Sequence, residues 1–411
     1  MKFFSVMYQT SNSKGQELLA QRMVKWARIL GHEAWVLTSL YHDGRSIISR
    51  KDVIKTEKGY MIYEKDPAIG IPTIRVDSSS TMWPPRRIFF RDFISTLRAI
   101  DKDIGIDFIV THSTLWNGPE ETSRWVLWKR LMITLGEEKK DVFYAHMSHY
   151  QPPDPIRYSP AERTYRIAWN STVYPSIFRT ANLIICLTSI EAEDMISMGA
   201  RPEQIHIFPG GLDDEEASLI DKANPDLFLD RFKIDRDKII ISYLGTIEER
   251  KNPLAIVRVA RALKDLRDVI FVIAGRPGDQ WSQVIKESKN LPNVIITGEI
   301  DERVKASLIK SSYINIIMSR MEAFGLTQLE FMYGGVPVVT SAVYGQKWLV
   351  RDGVDGVHLR GPDDIEGAAR VIRELVKDRE RRDLMSRNAR ERAKDMLMSR
   401  LMKNLFERVR S

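Results

Sequence analysis

Two doubly wound α/β domains in tandem are the fold this sequence predicts, on three observations. The chain has 411 residues, more than one ordinary core holds when domains run to about 150–200 residues. Short apolar runs alternate with segments of helical period, the signature of a parallel sheet covered by helices on both faces. The alternation halts at the polar stretch 223–238 and then starts again.

Residues 3–8 read as a buried strand, 16–31 as an amphipathic helix closed by Gly31, and 34–38 as the next strand. The runs 107–112, 141–146, 183–188 and 205–209 continue the first sheet. Past the break come strands at 239–245, 269–275, 293–298, 313–318 and 336–341, with a helix over 253–266. The expected division is residues 1–212, residues 213–394, and a helical tail over 395–411. The basic stretch from Arg379 onward has two readings, a solvated helix pair or a last helix that crosses back onto the first half. No solenoid-type repeat is present. Ligands of such sheets sit beyond the carboxyl ends of the strands, so a cleft between the halves is the expected binding place.

Composition narrows the class. Hydrophobic residues make up 43% and charged residues 28%, a globular balance. The formal charge of +7 and pI of about 9.2 suit anionic partners or simply a soluble surface. The single cysteine, Cys186, lies in an apolar run and reads as a core thiol, which excludes an internal disulfide framework and a cysteine metal site. No apolar run approaches the ~18 residues of a membrane span, and the start does not read as a signal peptide. A cytoplasmic protein is expected, with the inner membrane surface as one location. The mixed aromatics and arginines of 83-WPPRRIFFRDF-93 carry two readings. One is acceptor or membrane-surface contact, the other a proline-led helix start with its apolar face in the core. No nucleic-acid module is recognisable.

Chemistry concentrates in 321-MEAFGLTQLEFMYGGVPVVT-340. A strand ends at about 318, a turn holds Glu322 to Gly325, a helix runs from about Leu326 to Tyr333, and Gly334-Gly335 stop it. Amides at a helix start favour an anion, and Gly325 lets a ligand approach the backbone. Glu322 and Glu330 are eight residues apart, roughly 12 Å along an ideal helix axis. An acid/base carboxylate pair needs ~5–9.5 Å. Carboxylates accept hydrogen bonds, and hydroxyls are their natural donors. The pattern therefore suits a phosphate at the helix start with hydroxylated sugars on either side, a nucleoside diphosphate sugar. The competing reading is an ordinary amphipathic helix with incidental acids.

Residues 293–364 resemble the C-terminal domain of family 4 retaining glycosyltransferases of the GT-B fold. The glycine after a strand (Gly298), Glu322-x-Phe324-Gly325-x-x-x-x-Glu330, the Gly-x-Pro-Val-Val strand and the Asp-Gly-x-x-Gly turn stand in the family's order and spacing. The resemblance implies that Glu330 binds the ribose hydroxyls and Glu322 the transferred hexose. Ala323, Phe324, Gly325 and Leu326 would meet the diphosphate or sugar, and Thr297, Gly298 and Glu299 would border the base. In 243-YLGTIEERKNP-253, Gly245 and Lys251 match the family's phosphate-binding strand end, whereas Thr246 stands where the family has arginine. Arg250 is the nearby substitute, since a guanidinium can grip a phosphate with two donors. The family's Pro-Glu after the Gly-Gly turn is replaced by the region of Lys347.

The resemblance extends less specifically into the first half, through 107–113, 141–149 and 181–213. It implies His146 as a contact to the transferred sugar, with His112 and His149 as weaker candidates. Lys14, Gly15 and Gln16 form a candidate acceptor or phosphate loop. The fold class implied is GT-B, two Rossmann-like domains facing a cleft, the first for the acceptor and the second for the donor. The activity implied is metal-independent, retaining transfer of a hexose from a nucleoside diphosphate sugar of unspecified base. The acceptor would be a sugar, a glycan or a lipid-linked sugar, with Lys251, Glu322 and His146 as the catalytic set and no bound cofactor. Two rivals remain, a catalytically impaired GT-B protein that binds a nucleotide sugar or glycan, motivated by Thr246, and a sugar-nucleotide epimerase of similar fold.

Overall fold

The computed structural model of the protein describes residues 1–12, 15–56, 58–81, 87–153 and 158–410. The chain forms two compact units, Met1–Phe208 together with Leu401–Ser411, and Pro209–Arg400.

The first unit is built on an eight-stranded sheet in the order Ile205–Ile207, Leu183–Cys186, Phe143–Met147, Phe108–His112, Lys2–Met7, Glu33–Thr38, Thr73–Val76 and Tyr60–Tyr63. All neighbours run parallel except the last pair. Phe3, Phe4, Val6 and Met7 are all buried, because helices cover both faces of a parallel sheet and each strand becomes an unbroken apolar run. The helix Gly15–Ile29 packs through Leu19, Ala20, Met23, Val24 and Ala27, one stripe at helical spacing. Gly31, at φ +84°, ends it in the left-handed conformation glycine tolerates. Cys186 is buried in this sheet. Arg75 and Asp66, both fully buried, form an ion pair at 2.6 Å. Arg75 also donates to the Ser39 carbonyl and Thr10 Oγ1, which ties down the loops after the first two strands.

The last helix, Met398–Arg410, supplies residues 401–410 of this unit. Phe406 meets Phe3, Phe108 and His32, with ring centroids 5.7, 6.0 and 4.1 Å away.

The stretch 83–93 departs from the helix-start reading. Residues 83–86 lie outside the described residues, but Arg87–Phe90 is a strand paired antiparallel with Ser78–Thr81, and the helix begins only at Phe93. Ile88 and Phe90 alternate inward with period two, which selects a strand.

The second unit holds a six-stranded, all-parallel sheet in the order Val294–Gly298, Val269–Ala274, Ile239–Leu244, Ser312–Ile317, Val338–Thr340 and Gly356–His358. Residues 223–238, read from sequence as broken, contain the helix Asp226–Phe232, held by burial of Phe228 and Leu229. Among the described residues, no helix is long and apolar enough to cross a membrane, and no group of three or more His, Cys, Asp or Glu is placed to hold a metal ion.

Candidate active site

In the second unit the strand Ile239–Leu244 ends at Gly245. A Cβ on Gly275 would lie 1.8 Å from the Gly245 carbonyl oxygen, so glycine is what lets the two strand ends close together. The Tyr243 hydroxyl donates to the Thr246 carbonyl at 2.9 Å and folds the turn back. The chain then makes a single 3₁₀ turn, Glu249–Lys251, and passes through Asn252 at φ +53° into the helix Pro253–Ala262.

This turn delivers Lys251 to Glu322. The two side chains form an ion pair and are one-fifth exposed or less. Arg250 donates to Glu248 at 2.6 Å and to the Met321 carbonyl at 3.4 Å, while the Arg320 amide donates to the Arg250 carbonyl at 2.8 Å. The two loops that carry the expected phosphate and sugar contacts are thus fastened to each other by backbone. Gly345 tightens the arrangement, since a Cβ there would sit 1.8 Å from the Ala323 carbonyl oxygen, and its amide donates to the Glu322 carbonyl. Ala342 and Tyr344, at φ +54° and +45°, and Asn252 place three strained residues around these loops.

Gly325, at φ +105°, turns the chain into the helix Leu326–Tyr333, and among the described residues no side chain caps that helix start. Glu322 lies before the helix, so the 12 Å ruler of an ideal helix does not apply between it and Glu330. Glu330, on the helix, is bound at one oxygen by Lys305 at 3.0 Å. Phe324 is buried. Thr297 and Gly298 end the edge strand, followed by exposed Glu299. Among the described residues these three make no hydrogen bond or ion pair with 322–330. Lys347 is exposed on the short helix Gly345–Leu349.

The first unit contains a cavity of about 260 Å³ beyond the carboxyl ends of its central strands. Tyr8, Trp116, Tyr150 and Tyr174 give it aromatic walls, and Gln16, His149 and Asn170 are among its polar lining. Three of its lining residues, Ser113, Leu115 and His149, are non-glycine residues at φ +55°, +32° and +46°. Such clustering of backbone strain is a property of functional sites. His149 shares a hydrogen bond with His112 at 3.0 Å, and His112 shares another with Ser5 at 2.9 Å. Burial pushes His149 down to about 3 and holds His112 well below 6.5, so both rings are neutral. Behind the wall, Glu191 accepts from Ser148 Oγ and from the Tyr150 and Leu187 amides. Burial pushes its pKa up to about 7. Asn170 Oδ1 accepts from Thr114, which turns its amide nitrogen toward other partners.

Of the residues singled out from sequence in this unit, Gln16 lines the cavity, Gly15 opens the first helix, and Lys14 lies outside the described residues. His112 stands one hydrogen bond behind the lining. His146 is fully buried, bonded to Thr111 at 2.9 Å, with Nε2 unpartnered among the described residues and its pKa lowered to about 3 by burial. Sequence reasoning missed Tyr8, Trp116, Tyr150, Tyr174, Asn170 and Lys305. One shared signal was available: three of these positions, Tyr8, Trp116 and Tyr150, follow an apolar strand within a few residues.

The family described as glycosyl transferases group 1 matches residues 227–392, and the one described as Glycosyltransferase Family 4 matches residues 13–216. The chain belongs to the group 1, family 4 glycosyltransferases. It is 28% identical over 216 residues to a D-inositol 3-phosphate glycosyltransferase of Catenulispora acidiphila, covering 49% of this chain and 51% of that protein. It is also 28% identical over 226 residues to one of Geodermatophilus obscurus, covering 52% and 49%. The chain thus spans about half the length of the curated relatives it matches. In fold it is similar to sucrose-phosphate synthase from Thermosynechococcus elongatus, with a TM-score of 0.69, 18% identity, and 99% and 98% of the two chains covered. It is similar to Anabaena HepE in complex with UDP, with a TM-score of 0.69, 16% identity and full coverage of both. The fold is therefore GT-B, as the family resemblance implied.

Proposed function

We propose that the protein is a retaining glycosyltransferase that moves a hexose from a nucleoside diphosphate sugar to an acceptor hydroxyl. The observation that carries this reading is the pairing of Lys251 with Glu322 beside the uncapped helix start at Gly325. A cation and free amides suit the diphosphate, and a carboxylate beside them suits hexose hydroxyls. In transfer the bond from the hexose anomeric carbon to the diphosphate oxygen breaks and its electron pair leaves with the diphosphate. The acceptor oxygen bonds to the same carbon from the same face and passes its proton to the departing phosphate. Lys251, Arg250 and the helix start meet the developing charge, in place of a bound metal ion.

The aromatic cavity of the first unit is the proposed acceptor site, since its flat rings and hydrogen-bonding side chains, Arg166 among them, suit a polyol. The inositol phosphate named in the relatives and the UDP and UDP-glucose named in the HepE complexes make these the first ligands to try. A second reading, binding without transfer, is motivated by Thr246 in place of the family's arginine.

The test is a thermal-shift panel of UDP-, GDP- and ADP-hexoses on wild type and Glu330→Ala, followed by an assay for released nucleoside diphosphate with acceptor, with and without EDTA. A ligand at 100 times its Kd adds about 2.7 kcal/mol to the folded state. One base class should raise the melting temperature, the variant should lose that rise, and EDTA should leave release unchanged. No shift with any donor rejects the proposal. A shift without release, even with acceptor, selects the binding reading.

A further inference from the structure

We propose that Lys305 is a positioning residue for the nucleoside end of the donor, holding one oxygen of Glu330 so that the other accepts from the ribose hydroxyls. This rests on the reading of Glu330 as a donor contact.

Lys305 belongs to the helix Glu302–Ser311, which Asp301 caps by accepting from the Val304 amide at 2.9 Å. Its neighbours Val304, Ala306, Ser307, Leu308 and Ile309 are all buried, and Ser307 fastens the helix to the Asn224 carbonyl and the Phe228 amide. The lysine stem is therefore fixed, and its side chain is 14% exposed. Nζ lies 3.0 Å from Glu330 Oε1 and 2.6 Å from Glu302 Oε2. Among the described residues, Glu330 Oε2 meets no donor.

A carboxylate as buried as Glu330 tends to take up a proton, and burial does push its pKa upward. Protonated, it would offer a hydroxyl donor and a weaker acceptor where ribose presents donors. Glu216, from the helix Asp214–Lys222, and Glu302 push in the same direction as burial. Lys305 is the opposing charge. Arg390, on the helix Arg379–Lys394 that packs against the Glu330 helix, is engaged by the Tyr333 carbonyl and Asp221. The neighbouring strands Ser312–Ile317 and Val338–Thr340 carry no charged residue. One ammonium among three carboxylates leaves the locality negative when all are ionised. That suits hydroxyl donors and disfavours phosphate, so it helps set which end of the donor lies here.

The experiment is calorimetric titration of the full chain with UDP and with its 2′,3′-dideoxy analogue, for wild type, Lys305→Met and Lys305→Arg. Lys305→Met should weaken UDP about 10-fold, the loss of one charge-assisted hydrogen-bond arrangement, and the dideoxy analogue less than about 2-fold. Lys305→Arg should restore most of the loss. UDP affinity of Lys305→Met should also rise with pH more steeply than that of wild type, as Glu330 loses its proton. Equal weakening of both ligands, or none, overturns the role of Lys305 while leaving Glu330 as a donor contact. A wild type that binds both ligands alike overturns Glu330 as the ribose contact, and the Lys305 proposal with it. If Lys305→Met does not fold, Lys305→Gln, which keeps a donor without charge, carries the same discriminating expectation.

Discussion

The two sheets of this protein have the same parallel construction but finish their carboxyl edges differently. In the first unit the edge around the cavity is mostly neutral: His112, His146 and His149 are buried without charge, and the cavity beside them is lined by aromatic and uncharged polar side chains together with Arg166. In the second unit the edge is ionic, with Lys251 on Glu322, Arg250 on Glu248 and Lys305 on Glu330. Both edges carry non-glycine residues at positive φ, so both are strained. The difference teaches that the architecture supplies a place for a ligand, while the residues just past each strand decide its chemistry.

The largest expected effect strikes the ionic edge. Lys251→Ala should lower kcat by about 10²–10³-fold, the usual cost of removing a group that meets transition-state charge, with KM for the acceptor little changed. Steady-state kinetics with a UDP-hexose checks this, and an active variant would detach Lys251 from the reaction.

Acid should strike the neutral edge next. The three histidines have folded pKa values below the usual 6.5, so their contribution to stability is present above pH 6.5 and is lost as pH falls below it toward the lowered folded values, about 3 for His146 and His149. Glu191, raised to about 7, contributes in the opposite sense, its share being lost as pH rises through 7. For these four groups the net difference is about two protons between pH 6 and 5, each worth about 1.4 kcal/mol per pH unit. Denaturant midpoints measured across that range should fall with acid, and a flat profile would mean the rings are not held neutral.

The smallest effect separates the two edges by ligand. Asn170→Ala should raise KM for a polyol acceptor about 3–10-fold, the worth of one hydrogen bond, and leave UDP affinity as it is. Weaker UDP binding in that variant would blur the comparison.

How much of this was legible in sequence depended on continuity. Ile239–Leu244 and Lys2–Met7 were readable because burial on both faces demands one uninterrupted apolar run. Ser78–Thr81 was not, because four polar residues give no strand signal until Arg87–Phe90 pairs with them. Asp226–Phe232 is too short for a helical period to emerge. At the site, Glu322, Gly325 and Glu330 were visible because they sit in one contiguous motif. Lys305 belongs to no such motif, and its burial depends on helices and strands far along the chain. The cavity aromatics arise from separate segments, and only the sheet brings them together.

The closing helix has a consequence for the birth of the protein. Phe406 seals Phe3 and Phe108, yet 192 residues of the second unit, Pro209–Arg400, are synthesised between Phe208 and the helix segment that completes the first. At ribosomal rates of 5–20 residues per second that is a wait of about 10–40 s. During it the aromatic floor of the first sheet stands open, and the unit begun first is the one finished last. Chaperone dependence should therefore follow the length of the intervening unit, and an added copy of the final helix, supplied early, should shorten it.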